Sequence, residues 1–134
     1  MTYLLDTNTV IYFFKGMGRV ADNLLKTAPK DISIPAIVLY ELEVGLGKSS
    51  APGKRRKQLQ TLTSLTTIIP FTEKEALSAA KIRATLEKKG TPIGPLENLI
   101  AGTAMANRCI LVTHNCQEFK RIKGLQVIDW YCQS

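Results

Sequence analysis

The chain has 134 residues, 45% hydrophobic and 22% charged, which is the composition of one globular domain spanning residues 1–134 rather than of a disordered tail. Lys and Arg number 18 against 11 Asp and Glu, so the net charge of +7 favours a polyanionic partner: nucleic acid, an acidic membrane face or an acidic protein. No apolar run approaches the roughly 18 residues of a membrane span, and the N-terminus lacks the basic stretch of a signal peptide. Three cysteines, Cys109, Cys116 and Cys132, without C-x-x-C spacing argue for a reducing cytoplasm and against a disulfide framework or a zinc site.

Thr2 to Leu5 reads as a first strand that stops at Asp6, with Thr7 or Asn8 capping the helix that follows. Beyond the breaks at Gly16 and Gly18, Val20 to Lys26 is a short helix, and Asp31 to Pro35 a second strand closed by proline. Ala36 to Gly45 carries Ile37, Tyr40 and Val44 at helical spacing. Lys54 to Leu65 is a helix with a basic front and Leu59, Leu62 and Leu65 behind. Thr67 to Phe71 is a third strand. Glu73 to Lys89 is the longest helix, with Ala76, Ala80 and Ile82 expected inward and Gly90 as its stop. Gly94-Pro95 opens a helix that runs to about Asn107, and strands follow at Ile110 to Thr113 and Gln126 to Ile128. This alternation predicts an α/β domain, a central parallel sheet with helices on both faces.

In such a sheet, sites form outside the carboxyl ends of the strands. Asp6 stands there after the first strand, Glu41 one helical turn beyond the second, and Asn115 just past Val112-Thr113. Asp6 also fits a plain helix cap. Glu41 has apolar neighbours at Ile37, Val38 and Val44, and a carboxylate on an apolar face calls for a partner or a metal. Glu43 is nearly as enclosed, and periodicity does not choose between the two. Glu97 lies in a first helical turn, where it complements the dipole, yet Ile93, Ile100 and Ala101 turn it inward. Asn115 alone reads as turn chemistry, and Glu118 as a solvated charge.

If Asp6, Glu41 and Glu97 converge, their repulsion requires a hard cation. Mg²⁺ or Mn²⁺ suits all-oxygen ligands, activates a water and stabilises charge on an attacked phosphorus. Basic residues elsewhere would hold the remaining phosphates. An acidic pocket in a basic chain is the logic of a metal-dependent nuclease.

Several patterns carry less. Gly47-Lys48-Ser49 lacks the preceding strand and first glycine of a P-loop, and Gly16-x-Gly18-x-x-Ala21 is a chance dinucleotide match. His114, the sole histidine, reads as a surface loop residue that assembles no triad or zinc cluster. Lys54-Arg55-Arg56-Lys57 reads first as a solvated helix front and second as an RNA or partner contact, a path that Lys88-Lys89 and Lys120-Arg121-x-Lys123 would extend. Tyr12, Phe13, Phe14, Phe71, Phe119 and Trp130 are expected in the core or a dimer interface.

Four segments in order resemble the PIN-domain ribonucleases: Leu4-Leu5-Asp6-Thr7-Asn8, Tyr40-Glu41-Leu42, Ile82-Arg83-Ala84 through Gly90-Thr91-Pro92-Ile93-Gly94-Pro95-Leu96 to Ile100-Ala101, and Leu111-Val112-Thr113-His114-Asn115 with Glu118-Phe119. Within that family the chain is most similar to VapC-type toxins of bacterial toxin–antitoxin pairs. The resemblance implies that Asp6, Glu41 and Glu97 are the acidic metal-site residues for Mg²⁺, or Mn²⁺ in its place, with Asn115 at a fourth position and Glu118 assisting. Glu97 departs from the family's usual Asp, which extends the carboxylate by one methylene. The resemblance further implies a cytoplasmic bacterial endoribonuclease that cleaves structured RNA, the initiator tRNA anticodon loop above all, and so inhibits translation. It implies a homodimer and a cognate VapB-type antitoxin that forms a higher hetero-oligomer and reaches DNA on the toxin's behalf. The reading of another class, left open by Glu97, is a catalytically impaired binding module that serves as partner of a DNA-binding antitoxin.

Overall fold

A computed structural model describes residues 1–132. Five strands, β1 (Tyr3–Leu5), β2 (Ile32–Pro35), β3 (Thr67–Ile69), β4 (Ile110–Val112) and β5 (Val127–Ile128), form one all-parallel sheet in the order β3-β2-β1-β4-β5. The chain builds outward from β1 to β2 and β3, then returns to place β4 on the other side of β1. The strand order therefore reverses between β1 and β4, the position where open α/β sheets leave a crevice. Leu4, Leu5, Ile34, Leu111 and Val112 are fully buried, as both faces of a parallel sheet must be when helices cover them.

The helices are α1 (Thr7–Lys15), α2 (Val20–Leu25), α3 (Ala36–Gly47), α4 (Pro52–Leu65), α5 (Glu73–Lys88), α6 (Pro95–Ala106) and the single turn α7 (Cys116–Phe119), with a 3-10 turn at Pro29–Asp31. The last two elements were not anticipated. Among the described residues no helix is long and apolar enough to cross a membrane. Helices α5 and α6 pack closely because Gly102 faces Ala79: a Cβ at 102 would lie 2.5 Å from that of Ala79. The buried Asn98 amide donates to the Ala79 carbonyl at 2.8 Å across the same seam.

Of the caps considered for α1, Asp6 is the one found, while Thr7 and Asn8 already lie in the helix. Three sequence expectations shift by part of a turn. On α3 the inward residues are Val38, Leu42 and Leu46, whereas Tyr40 and Val44 face outward, 59% and 43% exposed. Uniform hydrophobicity around this helix hides its true inner face. On α4, Leu59 and Leu62 are buried but Leu65 is exposed. On α5, Ile82 is buried as expected, while Ala76 and Ala80 are exposed and the inner row is Glu75, Ala79, Ile82 and Leu86.

Glu75 is the residue that sets this inner row apart from an ordinary apolar stripe. It is 1% exposed, and its carboxylate accepts from the Thr72 backbone N–H at 2.8 Å, from the Thr72 hydroxyl and from Asn107 Nδ2 at 3.0 Å. It thus completes a capping box at the start of α5 and ties it to the end of α6. The Thr72 hydroxyl, opposed by burial and reinforced by Asn107, lowers its pKa to about 2. A depressed carboxylate pKa contributes stability that is complete above the ordinary value near 4.5 and is lost as pH falls toward 2. Glu75→Ala should destabilise the fold by about 1–3 kcal/mol at neutral pH, the usual effect of orphaning buried donors. Denaturant titrations at pH 7 and pH 3 should show the difference between wild type and variant shrinking at the lower pH. An unchanged difference would contradict this role.

Candidate active site

Asp6 leaves β1 at the reversal of strand order. Its backbone N–H still pairs with the Val112 carbonyl at 3.2 Å, so the side chain emerges between the ends of β1 and β4. The carboxylate is 6% exposed. It accepts from the Thr9 N–H at 2.9 Å, which caps α1, and from the Thr113 hydroxyl. Burial pushes the Asp6 pKa above the ordinary carboxylate value; the Thr113 and Thr9 hydrogen bonds oppose that rise and the charge on Glu97 adds to it. Glu97 thus acts on Asp6 through its charge, as the weakest of these influences. Among the described residues Asp6, Glu41 and Glu97 do not gather as a set within the ligand-to-ligand spacing that His114, Asp129 and Cys132 reach.

Glu41 approaches from α3, half-buried, and Oε1 accepts from the Thr7 hydroxyl at 2.6 Å. Because Thr7 follows Asp6, this bond tethers Glu41 to the first turn of α1 rather than to another carboxylate. Glu43 resolves differently: it is exposed and pairs with Arg56 at 2.6 Å, so the choice left open by periodicity falls to Glu41.

Glu97 sits half-buried in the first turn of α6, its carboxylate folded against Gly94, where any Cβ would overlap it. The Gly94 N–H donates to Glu118 Oε1 at 3.0 Å, and Glu118 Oε2 accepts from Asn115 Nδ2 at 2.5 Å. Glu118 is thus no solvated charge; it joins the loop after β4 to the start of α6. The Asn115 backbone N–H in turn donates to Thr113 Oγ1 at 3.0 Å, so one threonine serves both Asp6 and Asn115.

Sequence reasoning missed the hydroxyls. Thr7 and Thr9 follow Asp6 closely in the chain, a readable signal, whereas Thr113 reaches Asp6 only through the pairing of β1 with β4. His114 is exposed, as a loop histidine should be, but it does not stand apart: Nδ1 lies 2.9 Å from Asp129 Oδ2, and Cys132 lies in the same cluster. The sequence reading placed no partners around His114; the structure places Asp129 and Cys132 there. The basic run also divides. Arg55 donates to the Phe14 carbonyl and Gln58, and Arg56 to Glu43, which leaves Lys54 and Lys57 to solvent. Of the aromatics, Phe119 and Trp130 are buried, while Tyr12, Phe13, Phe14 and Phe71 are half-buried.

A buried carboxylate with a second carboxylate beside it is unfavourable unless a cation balances the charge. The all-oxygen donor set fits a hard divalent ion.

Comparison with known proteins agrees with this architecture. The PIN domain profile matches residues 3–125. The chain belongs to the PIN-domain family. It is 33% identical over 130 residues to a protein of Salmonella typhimurium named tRNA(fMet)-specific endonuclease VapC, covering 97% of this chain and 98% of that one. It is 37% identical over 132 residues to Ribonuclease VapC2 of Rickettsia felis, again covering 97% and 98%. A crystal structure of VapBC2 from Rickettsia felis bound to a DNA fragment from its promoter superposes with a TM-score of 0.89 at 36% identity, covering 97% of this chain and 99% of that one. PIN-domain nucleases are in general dependent on divalent metal.

Asparagine caps a helix as well as aspartate does, so Asp6→Asn removes the charge and keeps the cap. Because the folded pKa of Asp6 is raised, its ionised form subtracts stability above that pKa. In excess chelator at pH 7, Asp6→Asn should therefore melt higher than wild type. A divalent cation at about 100 times its Kd should stabilise wild type by roughly 2.7 kcal/mol and the variant by far less. Calorimetry checks both; equal cation stabilisation of the two proteins would contradict the assignment.

Proposed function

We propose that this chain is the toxin of a bacterial toxin–antitoxin pair, a Mg²⁺-dependent endoribonuclease that cleaves structured RNA and so inhibits translation. The observation that carries the reading is Asp6: a buried carboxyl group held between β1 and β4, its pKa raised by burial, in a chain of net charge +7. The names of the Salmonella and Rickettsia relatives support the activity, and the former favours initiator tRNA as substrate, with its anticodon loop as the cleaved segment. Bases in such a loop are unstacked and open to recognition.

Asp6, Glu41 and Glu97 would hold the ion, Mg²⁺ by preference and Mn²⁺ in its place. When bound, the ion supplies Lewis acidity toward a phosphodiester oxygen and lowers the pKa of a water. The chain's own residues do the positioning. Thr113 fixes Asp6, Thr7 fixes Glu41, and Glu118 holds Asn115 and Gly94 in register at the mouth of the site. Exposed Lys54, Lys57, Lys88, Lys89, Lys120 and Lys123 supply positive charge for flanking phosphates. The partner is a VapB-type antitoxin in the bacterial cytoplasm, bound to a homodimer of this chain in a larger hetero-oligomer that contacts DNA through the antitoxin. The promoter-bound Rickettsia complex supports that arrangement.

The fold of Glu97 over Gly94 sustains a second reading, an impaired nuclease acting chiefly as a binding partner. Cleavage of a tRNA pool by wild type, Glu97→Asp and Asp6→Asn, each with Mg²⁺ and with chelator, separates the two. Wild type should cut only with Mg²⁺, and Asp6→Asn should lose about 10²-fold or more, as when one preorganised electrostatic group is removed. Cutting by Glu97→Asp alone would establish the impaired form. Chelator-resistant cutting, or full activity in Asp6→Asn, would contradict the proposed site.

A further inference from the structure

The carboxyl ends of β4 and β5 carry a second cluster that the nuclease reading does not use. These strands are parallel neighbours in the register Val112↔Ile128, and the Thr113 N–H continues the ladder to the Ile128 carbonyl at 3.0 Å. His114 and Asp129 therefore leave the sheet side by side, and the chain turns at Tyr131 to return Cys132 toward them. One ligand atom each from His114, Asp129 and Cys132 lies within 4.8 Å of the others, with His114 Nδ1 2.9 Å from Asp129 Oδ2. The Cys132 thiol also hydrogen-bonds to Asp129.

We propose that His114, Asp129 and Cys132 form a binding site for a thiophilic divalent cation of the Zn²⁺ type, separate from the carboxylate site at Asp6. An imidazole nitrogen, a carboxylate oxygen and a thiolate sulfur match the borderline softness of Zn²⁺ and Co²⁺, whereas Mg²⁺ takes oxygen donors and has little affinity for sulfur. Three protein ligands leave a fourth tetrahedral position, and His114 and Cys132 are open to the water that would fill it. A bound ion would displace the thiol proton of Cys132, so that the resulting thiolate and the carboxylate would offset its two positive charges.

The segment that bears the ligands is held in place. The Tyr131 ring stacks on the His114 imidazole, centroids 4.2 Å apart and planes 21° apart, and Tyr12 meets both rings edge-on. The Tyr131 N–H donates to Asp129 Oδ1 at 2.8 Å, which leaves Oδ2 for His114. The Arg19 N–H donates to the Tyr131 carbonyl at 2.9 Å. Tyr131 also lies so close to Gly18 that a Cβ there would meet its ring at 2.7 Å; the glycine makes room for the ring that orients the histidine. Such orienting contacts distinguish a preformed ligand set from side chains that meet by chance. Asn115 directly follows His114, so an ion here sits at the margin of the candidate nuclease groove.

Titration of the reduced, full chain with Co²⁺ tests the proposal, because thiolate ligation gives a sulfur-to-cobalt charge-transfer band that carboxylate binding does not. The expected result is one equivalent of Co²⁺ with that band, displaced by Zn²⁺ and unaffected by excess Mg²⁺. Cys132→Ser should abolish the band, and His114→Ala should weaken binding at least about tenfold, the lower end of what losing even an outer-sphere partner costs. Cys116→Ser, whose thiol instead donates to the Thr113 carbonyl, should retain it. Circular dichroism confirms that each variant is folded. Absence of the band in wild type, its survival in Cys132→Ser or its loss in Cys116→Ser would overturn the proposal and leave His114–Asp129 as an ordinary carboxylate–imidazole pair.

Discussion

Asp6 places a carboxyl group where water is nearly excluded, and the ends of β1, β4 and α1 meet around it. It is 6% exposed, caps α1 and marks the end of the central strand, so it cannot move without unravelling either element. Hydrogen bonds from Thr113 and from the side chain and backbone of Thr9 offset part of the desolvation, yet its pKa remains raised and Glu97 raises it further. Burying a carboxylate under these conditions makes sense chiefly where a cation is expected, since a metal inverts the local balance that otherwise favours protonation.

The remaining site residues are held by short links rather than by long-range attraction. Thr7 grips Glu41, Thr113 joins Asp6 to the Asn115 backbone, and Glu118 spans from Asn115 to Gly94. These bonds run between the ends of β1 and β4 and the first turns of α1 and α6, the elements brought together where the strand order reverses. Each of these side chains is thus held by a partner on a neighbouring element. Gly94 admits the longer side chain of Glu97 at the one point where a Cβ would collide with it.

The sequence made the order of strands and helices legible, because short β-branched runs alternate with longer helical spacing and Pro or Gly marks most boundaries. It also exposed Asp6, Glu41 and Glu97, whose apolar surroundings are unusual for acids. Inner faces were harder. Tyr40 and Val44 resemble core residues but face outward, because α3 is hydrophobic all round and periodicity has nothing to contrast. Glu75 resembles a surface acid but is buried, because its partners Thr72 and Asn107 meet it only after α5 and α6 pack. The His114, Asp129 and Cys132 cluster depends on the register of β4 against β5, which residue spacing does not encode. Asn115 and Glu118 stand out by the family resemblance but not by their own residue patterns, which do not reveal the bond between them.

The proposal that buried Asp6 and half-buried Glu97 hold one divalent ion carries the nuclease reading. Crystals grown with Mn²⁺ and measured for its anomalous scattering test this most directly. The account predicts an anomalous peak within coordination distance of Asp6 and Glu97 carboxylate oxygens, with Glu97 drawn off Gly94 toward Asp6. Mn²⁺ bound elsewhere on the chain, with Asp6 still contacted only by Thr9 and Thr113, would contradict it.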